Sequence, residues 1–208
     1  PMDDATLVTT LGRDPHANHG IVNPPTWRAS TILSPTLEHW ETKRPGAGSY
    51  GRYGTPTTFA LQEAVAALEG GDVAFAVGSG KTAITSTLLA LVGPGDHVVM
   101  SDSVYGPTRN FATGLLARFG VSTTFVDPRI GADVAGVMSA TTRIVFVESP
   151  GSLTFEVQDV PAIAAAAHRA GALVVMDNTW ATPLYFKPFA HGVDVSIQAA
   201  TKYIGGHS

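Results

Sequence analysis

Residues 194–208 (D-V-S-I-Q-A-A-T-K-Y-I-G-G-H-S) place a lysine where an apolar, strand-like run ends. Lys202 follows Thr201 and precedes a pair of glycines. A lysine is rarely buried unless it is paired, and desolvation lowers its pKa, so that the neutral amine can attack a carbonyl group. On position alone, a solvated lysine at the strand tip is the commoner arrangement. Other residues of the chain are needed to distinguish a nucleophilic Lys202 from a solvated one.

A glycine-rich turn, G-S-G-K-T at residues 78–82, lies between a predicted strand and a predicted helix. Backbone N–H groups at such a helix start, together with the helix dipole, can bind a phosphate. The letters resemble the end of a P-loop, but that pattern requires a glycine where this chain has Phe75. A P-loop nucleotide-binding protein is therefore disfavoured. A turn that serves only to reverse the chain remains the alternative to phosphate binding.

Tyr50 and Arg52 lie two residues apart in the glycine-rich stretch Y-G-R-Y-G-T-P-T. In an extended chain, residues at this spacing face the same side. A phenol and a guanidinium could then hold a phosphate together, because the arginine fork matches phosphate oxygens. In isolation, a solvated arginine beside a packed tyrosine is the simpler interpretation.

Asp177 and Tyr105 each follow a predicted strand. A buried carboxylate at Asp177 needs a partner or a cation, and a protonated ring nitrogen would serve. Capping of the following segment is the equally plausible alternative. The ring of Tyr105 could stack on a flat cofactor, although a tyrosine packed in the core is more common.

The elements that must position these residues alternate regularly from Thr58 onward. Predicted strands cover residues 73–77, 97–101, 121–126, 143–147, 173–176 and 193–200, and predicted helices cover residues 58–69, 80–91, 107–119, 134–138 and 161–169. Continuous apolar strands that alternate with helices are typical of βαβ units. We therefore predict an α/β fold with a mostly parallel sheet flanked by helices.

Ligands of such sheets bind beyond the carboxyl ends of the strands. The residues at those ends are Gly78, Ser79, Gly80, Asp102, Tyr105, Glu148, Ser149, Asp177, Asn178, Thr201 and Lys202.

Residues 1–48 differ from the remainder, because they are rich in Pro, Thr, His and Asn and follow no helical or strand period. Long stretches without secondary structure are unusual inside compact domains. We predict an N-terminal arm over residues 1–48 that packs on a second subunit, followed by a large domain over residues 49–208.

Composition excludes several classes of function. The net charge of −4 offers no basic surface for nucleic acid, and the chain has no cysteine for disulfides or thiolate metal sites. Apolar runs are far shorter than the ~20 residues of a membrane span, and the acidic N-terminus has no apolar signal core. The histidines show no metal-ligand spacing on a clear helix. A soluble, cytoplasmic protein without a metal is the prediction, and the low charged fraction of 14% suggests surface hidden in an oligomer.

An anion site, an aromatic ring, a buried acid and a lysine at one sheet edge match the needs of pyridoxal 5′-phosphate (PLP). This cofactor requires a lysine for its Schiff base, an acidic partner for its ring nitrogen and a phosphate pocket.

The lysine segment resembles the signature of the Cys/Met metabolism family of PLP-dependent enzymes over its whole length, and the resemblance extends over nearly the entire chain. Within that family it is similar to the bacterial cystathionine β-lyase branch. The stretches that carry this similarity are Y-G-R-Y-G-T, F-V-D-P-R-I-G-A-D, V-F-V-E-S-P-G-S-L-T-F-E-V-Q-D-V-P-A-I and D-N-T-W-A.

The resemblance implies a role for each candidate residue. Lys202 would hold PLP covalently and then move the Cα proton, Asp177 would keep the ring nitrogen protonated, and Tyr105 would stack on the ring. Gly80 and Lys81 would offer backbone N–H groups to the phosphate, and Thr201 would offer its hydroxyl.

The resemblance also implies a homo-oligomer, a dimer or a dimer of dimers, in which Tyr50 and Arg52 reach the phosphate of a neighbouring subunit.

The implied reaction is β-elimination of L-cystathionine to homocysteine, pyruvate and ammonia, as part of methionine biosynthesis, with cysteine-S-conjugates as further substrates. The alternatives are a γ-synthase, a γ-lyase or a methionine γ-lyase. A non-catalytic protein that binds a partner through its arm is a third possibility.

Three residues depart from the wider family pattern. Thr55 and Ala199 stand where many members have Asn and Ser, and Lys81 occupies a position that is commonly small or apolar. We expect the Lys81 ammonium to compensate for the phosphate contact that Ala199 cannot make.

Family members also continue well beyond this lysine, with a further sheet strand and a C-terminal domain that binds the substrate carboxylate. The resemblance therefore implies that these 208 residues are a piece of a longer enzyme and are catalytically impaired on their own.

Overall fold

The computed structural model describes residues 3–42 and 49–206. The chain divides into two compact units, Pro1–Ala76 and Val77–Ser208. The boundary predicted between arm and large domain, at residue 48, lies outside the described residues.

The described residues of the unit Pro1–Ala76 form three helices: α1 (Asp4–Thr10), α2 (Leu37–Thr42) and α3 (Pro56–Glu69). Helix α3 begins with a proline at its first position and ends at Gly70, whose φ of 76° lies in the left-handed region that glycine tolerates. The glycine stop was expected from the sequence, whereas the helix begins two residues before the predicted start at residue 58.

The unit Val77–Ser208 is built on a sheet of five parallel strands. They are β1 (His97–Ser101), β2 (Ser122–Val126), β3 (Thr142–Glu148), β4 (Leu173–Asp177) and β5 (Val195–Ile197). Their order in the sheet is β2-β1-β3-β4-β5, and all four pairings are parallel. The α/β fold with a parallel sheet is therefore confirmed.

Helices cover both faces of this sheet. The remaining helices are α4 (Gly80–Leu91), α5 (Gly106–Phe111), α6 (Val160–Arg169) and α7 (Thr182–Tyr185), with a π-helical turn at Ala112–Leu116 and 3₁₀ turns at Gly131–Val137 and Pro188–His191.

Successive strand residues point to opposite faces, so β1 and β3 contribute to two separate cores. Val98 and Met100 pack with Leu88 of α4, whereas Val99 packs with Ile163 of α6.

Two predicted strands need correction. Residues 73–77 form no strand, and Val73 and Phe75 are 65% and 81% exposed. An apolar run predicts burial, but a strand also requires a hydrogen-bonding partner, and the described residues provide none here.

The last strand is confined to Val195–Ile197 and stops before residue 200. The backbone leaves the sheet because the N–H of Ala199 donates to Thr179 Oγ1 at 2.8 Å and the side chain of Gln198 donates to the carbonyl of Asn178.

Candidate functional site

All five strands are parallel, so their carboxyl ends meet at one edge of the sheet. A chain of contacts runs along this edge. The N–H of Tyr105 donates to Glu148 Oε2 at 2.7 Å, and the sheet register pairs Glu148 with Asp177.

The same chain of contacts continues from Asp177 to the segment that precedes Lys202. Thr179 donates its backbone N–H to Asp177 Oδ1 at 3.0 Å and accepts from the N–H of Ala199. Ala199 also meets the start of α4, since a Cβ added to Gly80 would lie 2.6 Å from the Cβ of Ala199. Six of the eight predicted site residues thus share this edge: Gly80, Lys81, Tyr105, Asp177, Thr201 and Lys202.

Asp177 is the last residue of β4 and is only 7% exposed. Burial raises the pKa of its carboxyl group, and the hydrogen bonds from Thr179 oppose that rise. A buried carboxyl group of this kind favours a neighbouring cation, such as a protonated ring nitrogen.

Glu148 is the acidic residue to which sequence reasoning gave no role. Its carboxyl group is buried, and its pKa is raised to about 8, first by burial and then by the charge of Asp177, while the N–H of Tyr105 opposes the rise. The signal was present in the sequence, because β3 and β4 both end in an acid after an apolar run.

The start of α4 has the features of an anion site. Ser79 caps the helix, with its Oγ accepting the N–H of Thr82 at 3.0 Å, and the first N–H groups point out of a 12-residue helix. Gly80 permits the close approach to Ala199 that a larger residue would prevent. Lys81 follows with its side chain exposed.

Lys202 lies in a turn beyond β5, with its backbone N–H bonded to the carbonyl of Ala199 at 2.9 Å. Both Lys202 and Thr201 are exposed. The desolvation expected for this lysine is therefore not provided by the described residues. Tyr105 is 46% exposed, which excludes the alternative that it is a core-packing tyrosine.

Three aromatic side chains near this edge were not foreseen. They are Phe155 after β3, Trp180 after β4 and Tyr203 after β5. The ring centroid of Trp180 lies 5.8 Å from that of Phe155 and 5.1 Å from that of Tyr203. All three remain more than 40% exposed. They form an apolar surface beside Lys202, which is adjacent to Tyr203 in the chain.

Tyr50 and Arg52 belong to the unit Pro1–Ala76. They do not lie in an extended chain as predicted, because the N–H of Tyr53 bonds to the carbonyl of Tyr50 at 3.0 Å and forms a turn. Gly51 allows this turn to pack closely, since a Cβ there would overlap the carbonyl oxygen of Ala29.

Both side chains remain accessible within that unit. Tyr50 is 42% exposed and packs edge-on against the ring of Tyr53. Arg52 lines a cleft together with Arg28 and Thr55. This cleft therefore carries positive charge that suits an anion.

Within residues 3–42 and 49–206, no group of three or more His, Cys, Asp or Glu residues could hold a metal ion. No helix in the same ranges is both long enough and apolar enough to cross a membrane.

The chain is similar to known proteins over almost its whole length. A family model described as Cys/Met metabolism PLP-dependent enzyme matches residues 5–208. A Rhizobium johnstonii protein with the provisional name cystathionine beta-lyase is 52% identical over 98% of this chain and 51% of its own length. The cystathionine beta-lyase MetC of Escherichia coli is 44% identical over 100% of this chain and 55% of its own length.

The fold of this chain is also similar to that of a solved structure. The cystathionine gamma-lyase of Lactobacillus plantarum, crystallised with L-serine, matches with a TM-score of 0.89 and 32% identity, over 100% of this chain and 52% of that protein. This chain therefore spans about half the length of the relatives that it matches.

Proposed function

Because this chain belongs to the Cys/Met metabolism family of PLP-dependent enzymes, we propose that it binds PLP and cleaves a carbon–sulfur bond in an amino-acid substrate. The family predicted from the lysine segment is confirmed, whereas the reaction is inferred. The observation that carries the proposal is the buried carboxyl group of Asp177 at the sheet edge shared with Lys202 and the start of α4.

The residues of this edge fit PLP in charge and shape. Asp177 would hold the proton of the ring nitrogen, because burial raises the pKa of its carboxyl group and a neighbouring cation would offset the cost of ionising it. The first N–H groups of α4, at Gly80 and Lys81, would receive the phosphate, with the hydroxyl of Thr201 beside them. The half-exposed ring of Tyr105 offers a stacking surface.

Tyr50 and Arg52 would add to the phosphate site from a second copy of the chain. Their accessible side chains in the unit Pro1–Ala76 are consistent with this role, and the arginine fork matches phosphate oxygens.

When bound, PLP supplies an electron sink that stabilises negative charge at the substrate Cα. The protein supplies the remaining steps. Lys202 carries the amine that binds the cofactor and then accepts the Cα proton as a general base. Asp177 would supply the negative charge that keeps the ring nitrogen protonated.

We propose cystathionine as the substrate, with β-cleavage to homocysteine, pyruvate and ammonia. The names of the Escherichia coli and Rhizobium relatives support this reaction. The structural similarity to a cystathionine gamma-lyase supports γ-cleavage as the second candidate. The two reactions differ in their keto acid, because β-cleavage releases pyruvate and γ-cleavage releases 2-oxobutyrate.

The experiment uses the full-length protein that carries this sequence, purified and loaded with PLP. We expect the visible absorbance band of lysine-bound PLP, its loss in Lys202→Ala, and its retention in Lys187→Ala, a lysine before the 3₁₀ turn Pro188–His191. Incubation with cystathionine should then yield pyruvate. Persistence of the band in Lys202→Ala would refute the assignment of this lysine, and 2-oxobutyrate as the main product would favour the γ-reaction.

A further inference from the structure

Glu148, the last residue of β3, carries a buried carboxyl group that the proposed reaction does not use. Its Oε2 accepts the backbone N–H of Tyr105 at 2.7 Å. Tyr105 lies between β1 and α5, so this hydrogen bond ties that loop to the end of β3. On the other side of β3, the register pairs Glu148 with Asp177 of β4.

We propose that Glu148 is a positioning residue, whose carboxyl group fixes the backbone of Tyr105, and with it the aromatic ring, relative to Asp177. The inference rests on the proposed PLP site. It adds to that site a residue that contacts neither PLP nor substrate and acts through Tyr105.

The backbone of Tyr105 is held on both sides. Its N–H is bonded to Glu148, and its carbonyl accepts the N–H groups of Thr108 and Arg109 at 2.8 and 3.2 Å, which start α5. With the backbone fixed in this way, only the two side-chain torsions of Tyr105 remain free to place its half-exposed ring. Loss of the Glu148 acceptor would leave the N–H unpaired and release one of the two anchors.

The charges around Glu148 suit this role. Burial and the neighbouring Asp177 raise the pKa of Glu148 to about 8, so Glu148 holds a proton at neutral pH. Asp177 can then carry the single negative charge that a protonated ring nitrogen requires. Strand β1 lies on the other side of β3 and ends at Ser101. The charged groups that follow it, Asp102 and Arg109, form an ion pair with each other.

Three variants of the full-length protein test this role. Glu148→Leu removes the acceptor, whereas Glu148→Gln keeps a carbonyl oxygen but cannot ionise. Thr142→Val is the matched control, because Thr142 is buried at the opposite end of β3 and its Oγ1 accepts the N–H of Ser139 at 2.8 Å. Two readouts are independent of turnover: hydrogen exchange of the Tyr105 amide in cofactor-free protein, and PLP affinity together with the visible circular dichroism of bound PLP.

We expect Glu148→Leu to speed exchange of the Tyr105 amide by about tenfold and to weaken PLP binding by about tenfold, with altered circular dichroism. Glu148→Gln should stay within about twofold of the unsubstituted protein in both measurements at neutral pH, because it retains the acceptor. Thr142→Val should lower overall stability without changing either readout.

Unchanged exchange at Tyr105 in Glu148→Leu would overturn the inference. Faster exchange with unchanged PLP affinity and circular dichroism would also overturn it, because Glu148 would then be structural only. If the unsubstituted protein binds no PLP, the proposed function fails and this inference fails with it. If it binds PLP normally and Glu148→Leu does the same, the inference alone fails.

Discussion

At the scale of single residues, the main feature is a pair of buried acids on adjacent strands. Glu148 and Asp177 end β3 and β4 and are paired in the sheet register. Ionising both of these buried, neighbouring carboxyl groups is costly, because each negative charge disfavours the other. We therefore expect one of them to keep its proton. Glu148 retains a proton and holds Tyr105, whereas Asp177 is left for a cationic partner. Only one of the two buried carboxyl groups then has to carry a negative charge.

Replacing Glu148 with glutamine should therefore change how stability depends on pH in the cofactor-free protein. The folded state keeps the Glu148 proton up to a pKa of about 8, whereas the unfolded chain releases it near the ordinary glutamate pKa of 4.5. The folded state binds more protons across this interval, so stability is greatest below it and falls as the pH rises through it. Glutamine cannot ionise and escapes this loss.

Urea unfolding at about pH 5 and about pH 8 measures the effect. The free energy of unfolding of Glu148→Gln, relative to the unsubstituted protein, should rise by about 2 kcal/mol or more between these values. A difference that stays constant with pH would contradict the raised pKa of Glu148.

At the scale of elements, the site depends on how closely the start of α4 approaches the segment after β5. Gly80 and Ala199 meet at a distance that leaves no room for a further methyl group, while Gly78, two residues earlier, faces open space. The start of α4 and the segment before Lys202 are therefore in close contact, and this contact requires a glycine at position 80.

Gly80→Ala should consequently destabilise the protein by about 1–3 kcal/mol, because the added methyl group overlaps Ala199. PLP affinity should fall as well, since α4 would have to shift. Gly78→Ala is the matched control and should change stability by less than about 1 kcal/mol. Thermal unfolding and PLP titration of both variants measure these effects, and equal behaviour of the two variants would contradict the close contact.

The strands of the sheet and the helices packed against it were the most predictable elements from sequence. Strands β1, β3 and β4 and helix α6 lie within one residue of their predicted bounds, because buried parallel strands are continuous apolar runs bounded by turns. Their parallel arrangement also predicts that their ends meet, which located Asp177 and Tyr105.

Features set by long-range partners were not predictable. The strand at residues 73–77 fails because an apolar run does not reveal its hydrogen-bonding partner. The early end of β5 depends on Thr179, which is distant in sequence. The role of Glu148 requires knowing that β3 neighbours β4 and which residues are in register.

At the scale of the whole molecule, the residues proposed to bind PLP belong to different units of the chain. Lys202 and Asp177 belong to Val77–Ser208, whereas Arg52 belongs to Pro1–Ala76. If Arg52 serves a neighbouring copy, the protein must form an oligomer to be active. A two-fold dimer with shared sites has a property that a monomer lacks, because two different inactive subunits can combine into one complete site.

Co-expression of Arg52→Ala and Lys202→Ala subunits of the full-length protein tests this arrangement. A mixed dimer contains one site with Lys202 from one subunit and Arg52 from the other, and a second site that lacks both. Random assembly should then restore about a quarter of the unsubstituted activity, although each variant alone is inactive.

The matched control pairs Lys202→Ala with Asp177→Asn. Both residues are proposed to serve the same subunit, so every site in this mixture lacks one of them and activity should not return. Recovery in the first mixture but not in the second, measured as pyruvate release from cystathionine, establishes that Arg52 acts across subunits. No recovery in either mixture would instead assign Arg52 to the site of its own chain.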